Sequence, residues 1–279
     1  MNAADFMTHG RIILSQILEA EFGPLPEFEI RAFDGPPPAN GVPFNVYSDN
    51  DNRRWYIRYY PEILEARIKE GQFCRLWHNL LHEILHMYNM EILHQACGGS
   101  WPRVWGEPGC AKDRKSAWDR HCHWMEGVTE LAALTINSRL LAEHKADEYL
   151  IQLFGSEGNL TYNWSGELKD RIDLLIGHMM ALLIKARILP TADALAEVLP
   201  FEVKTGAFGY AKGYLAKPMR HYHNHLAYAV GILRCAQLVS SNKMTLRDLI
   251  QQPIENRKLK RIAERAYRQQ QFDTPTSTA

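Results

Sequence analysis

Two histidines four residues apart, with a glutamate directly after the first, stand in the run Trp77-His78-Asn79-Leu80-Leu81-His82-Glu83-Ile84-Leu85-His86. On a helix turning about 100° per residue, His82 and His86 lie one turn apart on the same face, so both imidazoles can reach one zinc ion. Glu83 lies beside that face, where its carboxylate can take a proton from a water polarised by the ion. Leu76, Leu80, Ile84 and Met87 recur at the spacing that would hold this helix in a core. His78 and His94 also lie near the face. A straight helix cannot fold a third residue around to complete a tetrahedron, so these two read as structural or supporting groups.

A catalytic zinc site takes three protein ligands and keeps a fourth position open. Candidates for the third lie in His121-Cys122-His123-Trp124-Met125-Glu126-Gly127-Val128-Thr129-Glu130-Leu131. His123, Glu126 and Glu130 stand at i, i+3 and i+7 and share one face of the next helix, and spacing alone does not choose among them. Hydrolysis through a tetrahedral oxyanion by such a metal-bound water calls for a hydrogen-bond donor beside the metal. The cluster Arg220-His221-Tyr222-His223-Asn224-His225, with Tyr228 after it, opens a helix and offers Tyr222 and His223 for that role. Tyr210 and Tyr214, in and beside the glycine-bearing stretch 206–213, are further candidates.

The His-Glu-x-x-His helix followed by Trp124-Met125-Glu126-Gly127-Val128-Thr129-Glu130-Leu131 resembles the gluzincin metallopeptidases, in which a Glu-Gly-x-x-Glu motif supplies the third ligand through its first glutamate. Carried over, the resemblance implies His82, His86 and Glu126 as zinc ligands, Glu83 as general base, and Glu130 as a residue steadying a ligand histidine. It spans residues 76–131 and implies a zincin-like fold. The gap from His86 to Glu126 is longer than in the aminopeptidase members, and no Gly-x-Met-Glu-Asn exopeptidase motif is present. An endopeptidase of narrow specificity is the expectation.

The hairpin before the motif helix, with Leu80 to Asn89, is also similar to SprT-like proteases, which act on DNA-associated proteins. In that family the third ligand is a downstream histidine, here His121 or His123. This chain lacks the four-cysteine zinc ribbon that some members carry. A third reading, from a different class, is a zinc-stabilised binding module without catalysis.

The elements that must position these residues are legible from periodicity. Apolar spacing predicts a helix over residues 7–22. Phe28-Glu29-Ile30-Arg31-Ala32-Phe33 alternates as a half-buried strand does. Residues 44–47 and 55–59 flank Ser48-Asp49-Asn50-Asp51-Asn52 and read as a hairpin. Helical spacing returns from about Ile63. The stretch 97–113, with its glycines, prolines and Trp101 and Trp105, reads as a long ordered loop. Further helices are expected over 125–154, 167–188, 192–199, 222–239 and 257–270, and a disordered tail over 272–279. The fold class expected is α+β: a small N-terminal antiparallel sheet, then a mainly helical body, in one domain over residues 1–271.

The chain has 279 residues, 46% of them hydrophobic and 23% charged, a globular composition that excludes fibrous and wholly disordered classes. Lys+Arg and Asp+Glu both number 32, so no bulk field draws it to nucleic acid or anionic lipid. The basic stretch 257–268 reads as a solvated face. Protein or peptide is therefore the expected partner, and neither nucleic acid nor a membrane is. Five cysteines at long spacings, without a Cys-x-x-Cys pair, form neither a disulfide framework nor a thiolate zinc site. Residues 1–20 lack the features of a Sec signal. The expected compartment is the cytoplasm, with export by a signal-independent route, as an effector, open.

Overall fold

Alternation and helical spacing resolve into three strands and ten helices among the residues described by the computed structural model, namely 1–36, 41–49, 54–96, 112–154, 163–217 and 223–251. Side chains of residues 47–49, 54, 91–96, 112–124, 223–224 and 227 lie outside the description. So do residues 257–270, 272–279 and 97–111, where a basic helix, a disordered tail and a long loop are expected. The described residues of Met1–Ala117 and Arg139–Leu168 gather into one compact unit, and those of Trp118–Ser138 and Lys169–Ala279 into a second.

The first unit opens with α1 (Ala3–Phe22), whose start is set by Asn2: its side chain accepts a hydrogen bond from the Asp5 amide at 2.8 Å. Strands β1 (Phe28–Ala32), β2 (Phe44–Asp49) and β3 (Arg54–Tyr59) follow. Phe28, Phe44, Trp55 and Ile57 are buried, while Glu29, Arg31, Tyr56 and Arg58 alternate with them on the other face. There Arg31 lies over the Tyr56 ring at 4.5 Å and Arg58 over Phe33 at 4.2 Å.

The sheet is mixed, which corrects the expectation of an antiparallel one. Its order is β1-β3-β2, with β2 antiparallel and β1 parallel to β3. The connection 33–43 starts and ends at the same end of β3. The Phe33 amide donates to the Tyr59 carbonyl, and the Tyr60 amide to the Pro43 carbonyl, each at 2.9 Å. The chain therefore steps from one side of the β3 position to the other before β3 is laid between its neighbours.

Helix α2 (Pro61–Lys69) starts on a proline, whose missing N–H costs nothing at a helix start, and its turn ends at Gly71, with φ of 70°. Helix α3 (Phe73–Ala96) packs against α1 and the sheet. Its Leu76, Leu80, Ile84 and Met87 are all buried, as the spacing predicts. Each such side chain contributes about 1.5–3 kcal/mol relative to exposure. A Cβ on Gly10 would lie 2.6 Å from Leu80 Cδ2, so the glycine lets α1 approach α3 closely. Tyr88 closes the far end, donating to the Gly23 carbonyl at 2.8 Å. Phe6, Phe73, Phe154 and Trp164 complete this core through ring contacts.

Helix α4 (Lys112–Ala142) starts well before the expected residue 125, and the helix expected over 125–154 is two. The break falls at His144, in the left-handed region with φ of 58°, before α5 (Ala146–Phe154). The second unit holds residues 118–138 of α4 and most of α6 (Trp164–Lys185). It also holds the short α7 (Asp193–Ala196), α8 (Thr205–Leu215), α9 (His223–Ser240) and α10 (Leu246–Gln251). Among the described residues there is no strand after β3, which fits the α+β class, and no helix long and apolar enough to cross a membrane.

Candidate metal centre

The motif helix presents its two histidines as the spacing requires. His82 and His86 Nε2 face one another at 3.1 Å, with ring planes 81° apart and centroids 4.8 Å apart. Two imidazoles on one tetrahedral zinc, each at about 2.0–2.1 Å, hold their nitrogens about 3.3 Å apart. The pair is therefore spaced for a shared ion. His86 is 6% exposed, so its imidazole is held by the surrounding core. His78, on the same helix, is buried.

Of the candidate third ligands, Glu126 of α4 joins the pair. The ligand atoms of His82, His86 and Glu126 all lie within 4.8 Å of one another. Two imidazole nitrogens and a carboxylate oxygen form a donor set suited to zinc. Glu130 is half-buried one turn along α4, and Thr129 beside it is fully buried. The side chains of His121 and His123 lie outside the described residues, as does that of His94.

Helix α4 is seated by a contact that the spacing does not announce. A Cβ on Gly127 would fall 2.7 Å from the Gly231 backbone, so α4 and α9 meet main chain to main chain beside Glu126. Glu83 is placed by a second unannounced contact: its Oε2 accepts a hydrogen bond from the Val46 amide of β2 at 3.0 Å. Neither Val46 nor Gly231 belongs to a motif. Only the pairing of elements brings them into view.

The oxyanion-donor candidates separate. Tyr222 lies outside the described residues, and His223 is the first residue of α9 with its side chain outside the description. Tyr210 Oη donates to the Asp170 carboxylate at 2.9 Å, which ties it to the α6–α8 packing and holds its phenol above the ordinary range. Tyr214 packs on His178 with ring centroids 4.8 Å apart, and His178 meets His225 at 5.6 Å. Burial, with the neighbouring His225, pushes His178 down to about 4, and burial lowers His225 also. Both imidazoles are thus favoured in the neutral form.

The remaining described thiols take no part: Cys74 and Cys235 are free, buried and pushed up by burial. The chain matches no family model, no curated protein and no solved structure.

Proposed function

We propose that this chain is a zinc-dependent endopeptidase in which His82, His86 and Glu126 hold the ion and Glu83 is the general base. The observation that carries the reading is the convergence of those three ligand atoms within 4.8 Å, with Glu83 next to the first ligand in sequence. When bound, zinc supplies a Lewis acid and brings the pKa of a water near neutrality. Glu83 is held through Oε2 by the Val46 amide, and its Oε1 takes the proton of the attacking water and passes it to the leaving amine. The gluzincin-like arrangement of Glu126 and Glu130 supports the same assignment, with Glu130 steadying a ligand.

The oxyanion donor in this reading comes from the cluster that leads into α9, Tyr222 or His223, with Tyr228 a further candidate on the same helix. Tyr228 stands one turn before Gly231 on α9, and Gly231 touches Gly127, the residue after Glu126.

The test is zinc content per chain, by elemental analysis, on the wild type, Glu126→Ala and His123→Ala, with a peptide-library screen of the wild type and Glu83→Gln. One zinc per chain, lost in Glu126→Ala and kept in His123→Ala, with cleavage abolished in Glu83→Gln, is the expected result. Loss of zinc only in His123→Ala would move the assignment to the SprT-like arrangement. Zinc binding with every activity indifferent to Glu83→Gln would leave a zinc-stabilised binding module.

A further inference from the structure

We propose that the backbone N–H of Val46 is the positioning group for the Glu83 carboxylate, so that strand β2 is part of the working site. The inference rests on the reading of Glu83 as general base. Its geometry lies in the unit that contains both β2 and α3.

The ladder fixes which way that N–H points. Tyr60 donates to the Pro43 carbonyl, Phe44 pairs with Tyr59, Asn45 with Arg58 and Val46 with Ile57. Hydrogen-bonded and non-hydrogen-bonded pairs alternate along an antiparallel ladder. With Pro43 and Tyr60 bonded, the Val46–Ile57 pair is non-bonded, and the Val46 N–H turns away from β3. Strand β2 is the edge of the sheet, and among the described residues no further strand stands on that side to receive it. An edge amide ordinarily meets water or another chain. Here it meets a carboxylate 37 residues further along the chain, at 3.0 Å.

A glutamate side chain has three torsions to order before its oxygens occupy a fixed place. A main-chain donor on a strand is a rigid anchor, and a hydrogen bond to a carboxylate is of the stronger, charge-assisted kind. Fixing Oε2 restricts where Oε1 can lie, which is the requirement on a base that must meet a water in one orientation. A side-chain donor would add its own torsions. The edge strand adds none.

Replacing the Val46 amide by an ester, through incorporation of the α-hydroxy acid, deletes this donor and leaves the side chain in place. On a peptide from the library screen, kcat is expected to fall about 100-fold, the scale of a misplaced reacting group. KM should stay within about twofold and zinc content should equal that of the wild type. A second measurement needs no substrate. In the metal-free chain, hydrogen exchange at the Val46 amide should be about tenfold faster in Glu83→Ala than in the wild type, while the β3 amides exchange as before. An ester chain with wild-type kcat, or a Val46 amide exchanging equally fast in both chains, would overturn the proposal. Full activity in Glu83→Gln sinks the general-base reading itself. An inactive Glu83→Gln beside a fully active ester chain sinks only the role of Val46.

Discussion

Gly127 of α4 rests on the main chain of Gly231 in α9, closely enough that a Cβ at position 127 would stand 2.7 Å from the Gly231 Cα. The residue before Gly127 is the candidate ligand Glu126, so the spacing of two helices and the placing of one carboxylate are set by the same absent side chain.

Gly127→Ala must therefore push α4 and α9 apart. Overpacking of this kind costs about 1–3 kcal/mol, which a urea unfolding midpoint reads directly. Zinc affinity should fall with it, because Glu126 moves. The contrast is Gly209→Ala in α8, where a Cβ would meet no atom within 4 Å. That change should raise stability by about 0.5–1 kcal/mol, the ordinary helix preference for alanine. Equal effects from the two substitutions would contradict the contact.

Tyr228→Phe removes a hydroxyl and keeps the ring. If Tyr228 donates to the oxyanion, kcat should drop by about 10²- to 10³-fold with little change in KM and none in zinc content. Steady-state kinetics on the same peptide as for the wild type is the check. A kcat within about threefold of wild type would leave the donor role with Tyr222 or His223, whose Phe and Ala substitutions belong in the same series.

Removal of metal should lower thermal stability in proportion to how far the ion prefers the folded chain. At free zinc about 100 times its dissociation constant the ion stabilises by about 2.7 kcal/mol. A chelator should therefore lower the melting temperature of the wild type and leave that of Glu126→Ala unchanged. A wild-type melting curve indifferent to chelator and to added zinc would count against His82, His86 and Glu126 as ligands.

His178 predicts an acid-sensitive second unit. Burial holds it down at about 4, whereas the unfolded chain carries a histidine of about 6.5. As pH falls below about 6.5 the unfolded chain takes up a proton that the folded chain refuses until about 4. Stability is thus lost across that window, by about 1–2 kcal/mol for a ring that keeps part of its contact with water. His178→Gln should flatten this part of the stability–pH curve, as measured by denaturant midpoints at pH 7, 6, 5 and 4. An unchanged slope would mean that other groups set it.

The motif helix was legible because its signal is local. Leu76, Leu80, Ile84 and Met87 face one way at helical spacing, His82 and His86 another, and both faces are where the spacing puts them. The strands were legible for the same reason, but alternation says which residues share a face and nothing about which strand lies beside which. The parallel pairing of β1 with β3 was therefore out of reach.

Helix α8 was not among the expected helices, since Gly206, Gly209 and Gly213 interrupt the apolar spacing by which the others are read. Tertiary packing overrides that, with Gly206 close against the buried Asp173 on α6. The break before α5 has no glycine or proline to announce it, only His144 in a left-handed conformation. The true start of α1 lay in the Asn2 cap rather than in apolar spacing. At the site, Glu126 was one of several residues on a shared face, and the Val46 amide was invisible, since a main-chain donor has no side chain by which to be noticed.

The order β1-β3-β2 also sets a timetable. As the chain leaves the ribosome, β1 emerges first and finds no strand to join. Strands β2 and β3 follow and can zip together locally, on the microsecond scale of a hairpin. Only then does the middle position exist against which β1 can dock, closing a loop over residues 33–53 that the hairpin never needed. The surface that receives Glu83 from α3 is on β2, so the contact at the site can mature while β1, the earliest strand made, is still the last to find its place.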